Sequence, residues 1–241
     1  MAGHSKWNNI KRRKGAQDQK RAKVFTRISK EIHQAARNGG DNLETNAALK
    51  MAVDKAKQAN MPNDNIERTI QKAVGNVEGV SYEEVTYEGY APHGAAVFVE
   101  VLTENRNRSA AEVRLAFNKN GGNLGADGCV SFMFQRKGYL LFEKTADVDE
   151  EELLLDAIEA GAEDVVFEEE VVEIFTAMTA FHEVKEALGE PEGLRLETSE
   201  LTMIPDTTTP LDDAQAEDVV KLLEALEDCD DVQHVAHNAE L

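Results

Sequence analysis

Apolar residues recur at helical spacing through the first third of the chain. Val24, Ile28, Ile32 and Ala35 share one face of a helix expected over residues 17–38, which Asn38-Gly39-Gly40 ends. Ala48, Met51, Ala52, Ala56 and Ala59 mark the inward face of a second helix, from about Asn46 to Asn60. Pro62 then starts a third, which carries Ile66, Ile70, Ala73 and Val74 and stops at Gly75. Three amphipathic helices joined by short loops predict a helical domain over residues 1–76.

After Gly75-Asn76-Val77-Glu78-Gly79, which reads as a hinge, the pattern changes to β. Tyr82 to Tyr90 and Ala95 to Leu102 alternate or run apolar about Ala91-Pro92-His93-Gly94, the signature of a hairpin. A helix is expected from Arg106 to Asn120, stopped by Gly121-Gly122, and a strand from Cys129 to Phe134. Strands at 139–142, 162–167, 171–175 and 199–204 alternate with helices at 150–160 and 177–188. That order is βαββαβ, the ferredoxin-like arrangement. A helix over 214–226 and a strand near 232–235 remain without partners of their own, and would complete the sheet begun at residue 82. The fold class expected is α+β in three domains. These are a helical domain at 1–76, a discontinuous α+β domain at 77–136 and 205–241, and an inserted ferredoxin-like acidic domain at 137–204.

The formal net charge of −20 argues against a nucleic-acid partner until its distribution is read. Residues 1–75 hold 16 Lys and Arg against 7 Asp and Glu, whereas residues 76–241 hold 10 against 39. A basic module is thus joined to an acidic body, and phosphate affinity follows the local potential within a Debye length of about 8–10 Å. Lys11-Arg12-Arg13-Lys14, then Lys20-Arg21 and Lys23, are denser than solubility requires. On the first helix Lys20, Lys23, Arg27, Lys30 and Arg37 form a face separate from the apolar one. With Lys6 and Trp7, whose ring can stack on a base, they make the candidate nucleic-acid surface. Phe25 reads as core. Arg106 and Arg108 stand where a strand gives way to a helix, a place that favours phosphate, although pairing with Glu104, Glu112 or the acidic insertion competes for them. The acidic runs Asp147 to Glu152 and Glu168 to Glu170 read as solvated faces.

Other chemistries find little support. Gly121 to Gly128 follows a helix instead of preceding one and lacks the ending of a phosphate-binding loop, so it reads as a turn. No HExxH or GxSxG motif occurs, and Cys129 has no evident histidine partner, so no catalytic residue is assigned. Cys129 and Cys229 read as small core residues, and His234 and His237 as strand residues and not metal ligands. No cofactor or metal is expected. The chain has no apolar run of membrane-spanning length, and its basic start lacks the apolar stretch of a secretory signal, so a cytoplasmic protein is expected, with a monomer favoured.

Met1-Ala2-Gly3-His4-Ser5-Lys6-Trp7 with the Lys11 to Lys14 cluster and Lys20-Arg21 resembles the start of the YebC family. The resemblance continues through Tyr87-Glu88-Gly89-Tyr90, Asn105-Arg106-Asn107-Arg108, Gly121-Gly122-Asn123-Leu124-Gly125, Ala160-Gly161-Ala162-Glu163-Asp164 and Glu227-Asp228-Cys229-Asp230-Asp231-Val232-Gln233. It implies a helical N-terminal domain followed by two α+β domains. It also implies regulation of gene expression: members are described as DNA-binding transcriptional regulators, a mitochondrial branch as a translational activator of cytochrome c oxidase, and bacterial members are also linked to translation. Three readings follow. The first is a DNA-binding transcriptional regulator touching duplex through the 17–38 helix and the arm before it. The second is a ribosome-associated translation factor that places the same surface on ribosomal RNA. The third is a protein-interaction adaptor. The basic stripe is mostly Lys and Arg with no base-reading arrangement evident, and so suits phosphate contact and shape better than base reading.

Overall fold

The computed structural model describes residues 17–75 and 81–241, with side chains from residue 22. Three helices come first: α1 (Gln17–Gly39), α2 (Ala47–Gln58) and α3 (Asn63–Gly75). They close on a core of Ile28, Ile32, Ala36, Leu49, Val53, Ala56, Met61 and Ile66, against which Phe25 packs. The turn between α1 and α2 is built around Asn46. Its side chain caps α2 by accepting from Leu49 N–H and donates to the carbonyls of Ala35 and Gly40. Gly39 leaves room for that amide, because a Cβ there would lie 2.6 Å from Asn46 Nδ2. The expected faces are slightly rotated. Leu49 and Val53 are buried in α2 while Ala48 is exposed, since the larger side chains gain more from burial. Val24 and Val74, expected inside, are exposed.

A first antiparallel sheet has the order β3-β1-β2-β9, from β1 (Glu83–Tyr90), β2 (Ala96–Thr103), β3 (Asn123–Leu124) and β9 (Val232–His237). The β1–β2 hairpin is in continuous register from Glu83↔Thr103 to Tyr90↔Ala96, and β9 pairs with β2 as expected of the orphan strand. One face is covered by α4 (Arg106–Lys119) and α7 (Asp213–Glu227), through Val113, Phe117, Val219, Leu222 and Leu226. The other face of β2 presents Ala96 and Phe98 to Val130 and Phe134. Two-residue strands β8 (Thr209–Pro210) and β10 (Ala239–Glu240) pair beside it.

Between these elements runs a second antiparallel sheet. It comprises β4 (Phe134–Lys144), α5 (Glu150–Ala160), β5 (Ala162–Phe167), β6 (Val171–Thr176), α6 (Phe181–Leu188) and β7 (Leu194–Pro205), with strand order β5-β6-β4-β7. The βαββαβ order is the expected one. The outer pairing runs from Lys144↔Leu194 to Phe134↔Pro205, so the chain enters and leaves this unit at one point. The segment expected as a strand from Cys129 is instead a turn ending in a 3-10 turn at Ser131–Met133, and β4 begins only at Phe134. The cause is Glu88 on β1. Its buried carboxylate accepts the N–H groups of Gly128, Val130 and Ser131, each at 2.8 Å, so they are not available to a ladder. Burial opposes the charge on Glu88, but those three bonds hold its pKa below the usual carboxylate range. Residues 177–180, expected as the start of a helix, form a turn before α6.

Asp231, at the start of β9, ties the helical segment to the first sheet. Its Oδ1 accepts from Lys30 Nζ of α1 at 2.6 Å. Its Oδ2 accepts from Ser109 Oγ at 2.6 Å, Arg108 Nη2 at 2.8 Å and Thr103 Oγ1 at 2.9 Å. The side chain is 3% exposed. Burial alone would raise its pKa, yet the four donors outweigh burial and hold it far below the ordinary carboxylate value.

Two outcomes are expected. Asp231→Asn should destabilise the protein by about 3 kcal/mol at neutral pH, because it leaves two cations without their shared carboxylate. Since the folded pKa is the depressed one, Asp231 contributes fully above its unfolded value of about 3.9 and loses that contribution as pH falls below it. Urea unfolding at pH 7 and pH 3 should therefore show a smaller gap between wild type and variant at the lower pH. Separately, residues 134–205 expressed alone should give a dispersed NMR spectrum, because β4 and β7, the paired strands that open and close the unit, are then intact.

Candidate nucleic-acid interface

The basic face of α1 does not stand open along its length. Lys23 Nζ donates to Asp228 Oδ1 at 2.9 Å and to the Asp228 carbonyl at 3.2 Å. Arg27 donates to the carbonyl of Glu227. Lys30 donates to the carbonyl of Asp230 at 2.9 Å as well as to Asp231. Three residues read from the sequence as a nucleic-acid stripe are thus turned onto the C-terminus of α7 and the turn after it. The reason is electrostatic. A helix C-terminus carries unpaired carbonyls and partial negative charge, and here three aspartates follow it. Burial pulls the Arg27 pKa down while Asp228 and Asp230 hold it up. Among the described residues its Nε has no hydrogen-bond partner.

Arg108 pairs at 3.6 Å with Glu104, one of the competing partners weighed for it, and at 2.8 Å with Asp231, which is not among them. Arg106 is exposed at the first position of α4, capped by Asn105, whose side chain accepts from Arg108 N–H. Arg37 is half-buried in the last turn of α1. Lys20 and Arg21 lie on the α1 helix, their side chains outside the described residues, as are Lys6, Trp7, Lys11, Arg12, Arg13 and Lys14 altogether. The hinge assigned to residues 75–79 also falls largely outside them.

A cleft separates α1 from α4. Lys23, Thr26, Arg27 and Lys30 line one wall, Arg108 and Glu112 the other, and Cys229 and Asp230 the floor. Burial pushes the Cys229 thiol up to about 11, so it is a protonated packing group and not a nucleophile at neutral pH. A second cleft lies where α1 and α2 meet β7 and β9. There Lys55 pairs with Glu31 at 2.8 Å and His234 with Glu200 at 2.8 Å. His234 and His237 lie on β9 as expected, and among the described residues no group of His, Cys, Asp or Glu is placed to hold a metal ion. Among the described residues no helix is long and apolar enough to cross a membrane.

Sequence reading missed the groups that organise this region: Asp231, Thr103, Ser109 and Glu88. Their only sequence signal is position within motifs. Glu88 sits in Tyr87-Glu88-Gly89-Tyr90, and Asp231 closes the acidic run after α7. Gly89 and Gly122 serve close packing. A Cβ on Gly89 would lie 2.5 Å from the Asn123 carbonyl, and one on Gly122 2.9 Å from the Tyr90 carbonyl.

Residues 5–76 match the TACO1/YebC protein N-terminal domain, and residues 82–239 match the TACO1/YebC second and third domain. A protein of Clostridium acetobutylicum called a probable transcriptional regulatory protein is 55% identical over 240 residues, covering 100% of this chain and 97% of that one. The probable transcriptional regulatory protein YrbC of Bacillus subtilis is 52% identical over 239 residues, covering 99% of each. The crystal structure of a conserved hypothetical protein from Aquifex aeolicus superposes with a TM-score of 0.83 at 50% identity, over 92% of this chain and 91% of that one. With the N-terminal helices and both sheets matched by one set of relatives, this chain belongs to the TACO1/YebC family.

Proposed function

We propose that this protein is a non-catalytic, nucleic-acid-binding regulator of gene expression, acting in transcription by binding DNA through its basic N-terminal domain. The observation that carries the reading is the charge division, 16 Lys and Arg in residues 1–75 within a chain of net charge −20. The names of its relatives, which are those of regulatory proteins, agree with it. The work of phosphate contact falls on Lys6, Lys11 to Lys14, Lys20 and Arg21, with Trp7 available for stacking. Lys23, Arg27 and Lys30 instead hold the N-terminal domain against the acidic turn after α7, and so fix the orientation of α1. The division into domains at 1–76, at 77–136 with 205–241, and at 137–204 belongs to the same proposal, as does a cytoplasmic, monomeric protein. The acidic remainder rejects any binding mode that brings phosphate against it.

A second reading, ribosomal RNA as the target, is favoured by a basic surface of Lys and Arg with no base-reading arrangement evident, which suits a fixed array of phosphates better than base edges. Competition at physiological salt separates the two. A promoter duplex preferred over scrambled duplex by about a thousandfold, with ribosomes failing to compete, is the transcriptional outcome. Ribosomes outcompeting both duplexes is the translational one.

Two classes of variant should behave differently. Replacing Lys11, Arg12, Arg13 and Lys14 by Ala should leave stability unchanged and lower the slope of log K against log salt by about 3–4, at about 0.9 per duplex phosphate. Replacing Lys30 by Ala should lower stability by about 2–3 kcal/mol, by leaving buried Asp231 short of a partner, with a slope change of at most about one. Anisotropy titrations at several salt concentrations, with thermal melts alongside, check both. An unchanged slope in the fourfold variant removes the cluster from the interface.

A further inference from the structure

The cleft where α1 and α2 meet β7 and β9 has a volume of about 380 Å³, within the range of small-molecule sites. Both strands are irregular where they border it. On β9, Val101↔Val232 is followed by Glu100↔His234, so Gln233 is an extra residue opposite β2. On β7, Phe142↔Leu196 is followed by Leu141↔Thr198, so Glu197 is an extra residue opposite β4. Gln233 and Glu197 both line the cleft. A β-bulge takes one residue out of the ladder and re-aims its side chain, and bulges gather beside functional sites. Here two of them, one from each four-stranded sheet, meet at one cavity.

The charged groups on its walls are met within the protein. Lys55 pairs with Glu31, His234 with Glu200 and Arg195 with Glu197, each at 2.8 Å. Arg27 donates to the carbonyl of Glu227. Gln233 stands apart from them. Its Oε1 and Nε2 are both shielded from water, and neither has a hydrogen-bond partner among the described residues. The Arg27 Nε is shielded and unmatched in the same way. Buried polar groups are almost always satisfied, so an amide with neither atom met asks for an explanation in function. The remaining walls are apolar, from Val24, Ala59, Met203, Ile204 and Val235. Val24 fits the core repeat of α1 and is nonetheless exposed, because its surroundings are this opening.

We propose that this cleft binds an unphosphorylated nucleoside, whose base edge meets the Gln233 amide. A nucleobase presents a donor and an acceptor side by side, which a glutamine amide matches with two hydrogen bonds, and its flat faces suit apolar walls. The Arg27 Nε supplies one more donor, for a base carbonyl or a ribose hydroxyl. The lining charges disfavour phosphate. Four glutamates, Glu31, Glu197, Glu200 and Glu227, stand against two permanent cations, Arg27 and Lys55. A nucleotide or a strand would bring its phosphate into a net negative cleft. A ligand seated there touches α1 and α2 and a strand of each sheet, so its binding fastens the helical segment to both. The site is independent of DNA contact by the basic arm.

The test uses the full chain with adenosine, guanosine, cytidine and uridine, and with their monophosphates, in thermal melts and calorimetric titrations. At least one nucleoside should raise the melting temperature by about 5 °C at a concentration about a hundredfold above its Kd. Its monophosphate should bind about tenfold more weakly. Gln233→Leu should weaken the nucleoside by about tenfold or more. The same variant should melt no lower than wild type when free, because an apolar side chain of similar size replaces an amide with no partner to lose. A structural Gln233 would do the reverse, melting lower with its affinity unchanged, and that result overturns the site. Val24→Trp, at an exposed position on the wall, should keep the fold and block entry. The site is also overturned if no nucleoside binds at about 1 mM, if monophosphates bind more tightly, or if binding survives both substitutions. DNA binding is read separately by anisotropy on a duplex, so either reading can fail while the other stands.

Discussion

A single buried carboxylate holds the arrangement of this protein together. Asp231 collects Lys30 from α1, Arg108 and Ser109 from α4, and Thr103 from the end of β2, and it lies at the start of β9. A carboxylate so enclosed is tolerable only when its lone pairs are met, and here four donors meet them. The consequence is positional. The helical segment cannot rotate against the first sheet without exposing one buried charge and stranding two others. Lys23 and Arg27 extend the same contact along α1 toward the C-terminus of α7, where unpaired carbonyls attract cations. The direction of α1, and with it the place from which the basic N-terminal arm departs, is set by this one seam.

The seam also sorts the basic residues by task. Lys23, Arg27 and Lys30, the cations within reach of the acidic turn after α7, are structural. A sum of charges along the chain cannot make that distinction, because Lys23 and Lys30 look no different in sequence from Lys11 or Lys20. The same sorting singles out α4, where Arg108 is spent on Asp231 while Arg106, Arg114 and Lys119 are not. Two helices that both carry lysine and arginine then flank one cleft.

Glu88 shows a parallel economy in the glycine-rich turn. Backbone N–H groups gathered in a loop can receive an anion, and here the anion is the protein's own side chain. The turn from Gly125 to Ser131 is therefore a filled site, and its glycines answer to the turn itself: a Cβ on Gly125 would collide with Cys129 Sγ, and Gly128 has a φ of +86°. That occupancy is what ends the strand expected from Cys129 and delays β4 to Phe134.

Much of the fold was legible in the residue pattern alone. The three N-terminal helices, the hairpin about Pro92, the βαββαβ order, and the return of the last helix and strand to the first sheet all follow from periodicity and from glycine and proline placement. So was the basic character of the N-terminal module, because charge density is a property of composition. What periodicity could not supply was the partner of each charged group. Val24 fits the helical repeat and is exposed, Lys30 fits a solvent-facing stripe and is nearly buried, and Glu88 sits on a strand with no sequence sign that it anchors a loop 40 residues on. Such facts depend on which surfaces meet across long stretches of chain, and a buried charge finds its partners only when those surfaces close. Sequence by itself determined the elements and the charge each carries. The tertiary structure decided which of those charges are consumed in holding the elements together, because that choice is made by burial and distance, neither of which a linear pattern contains.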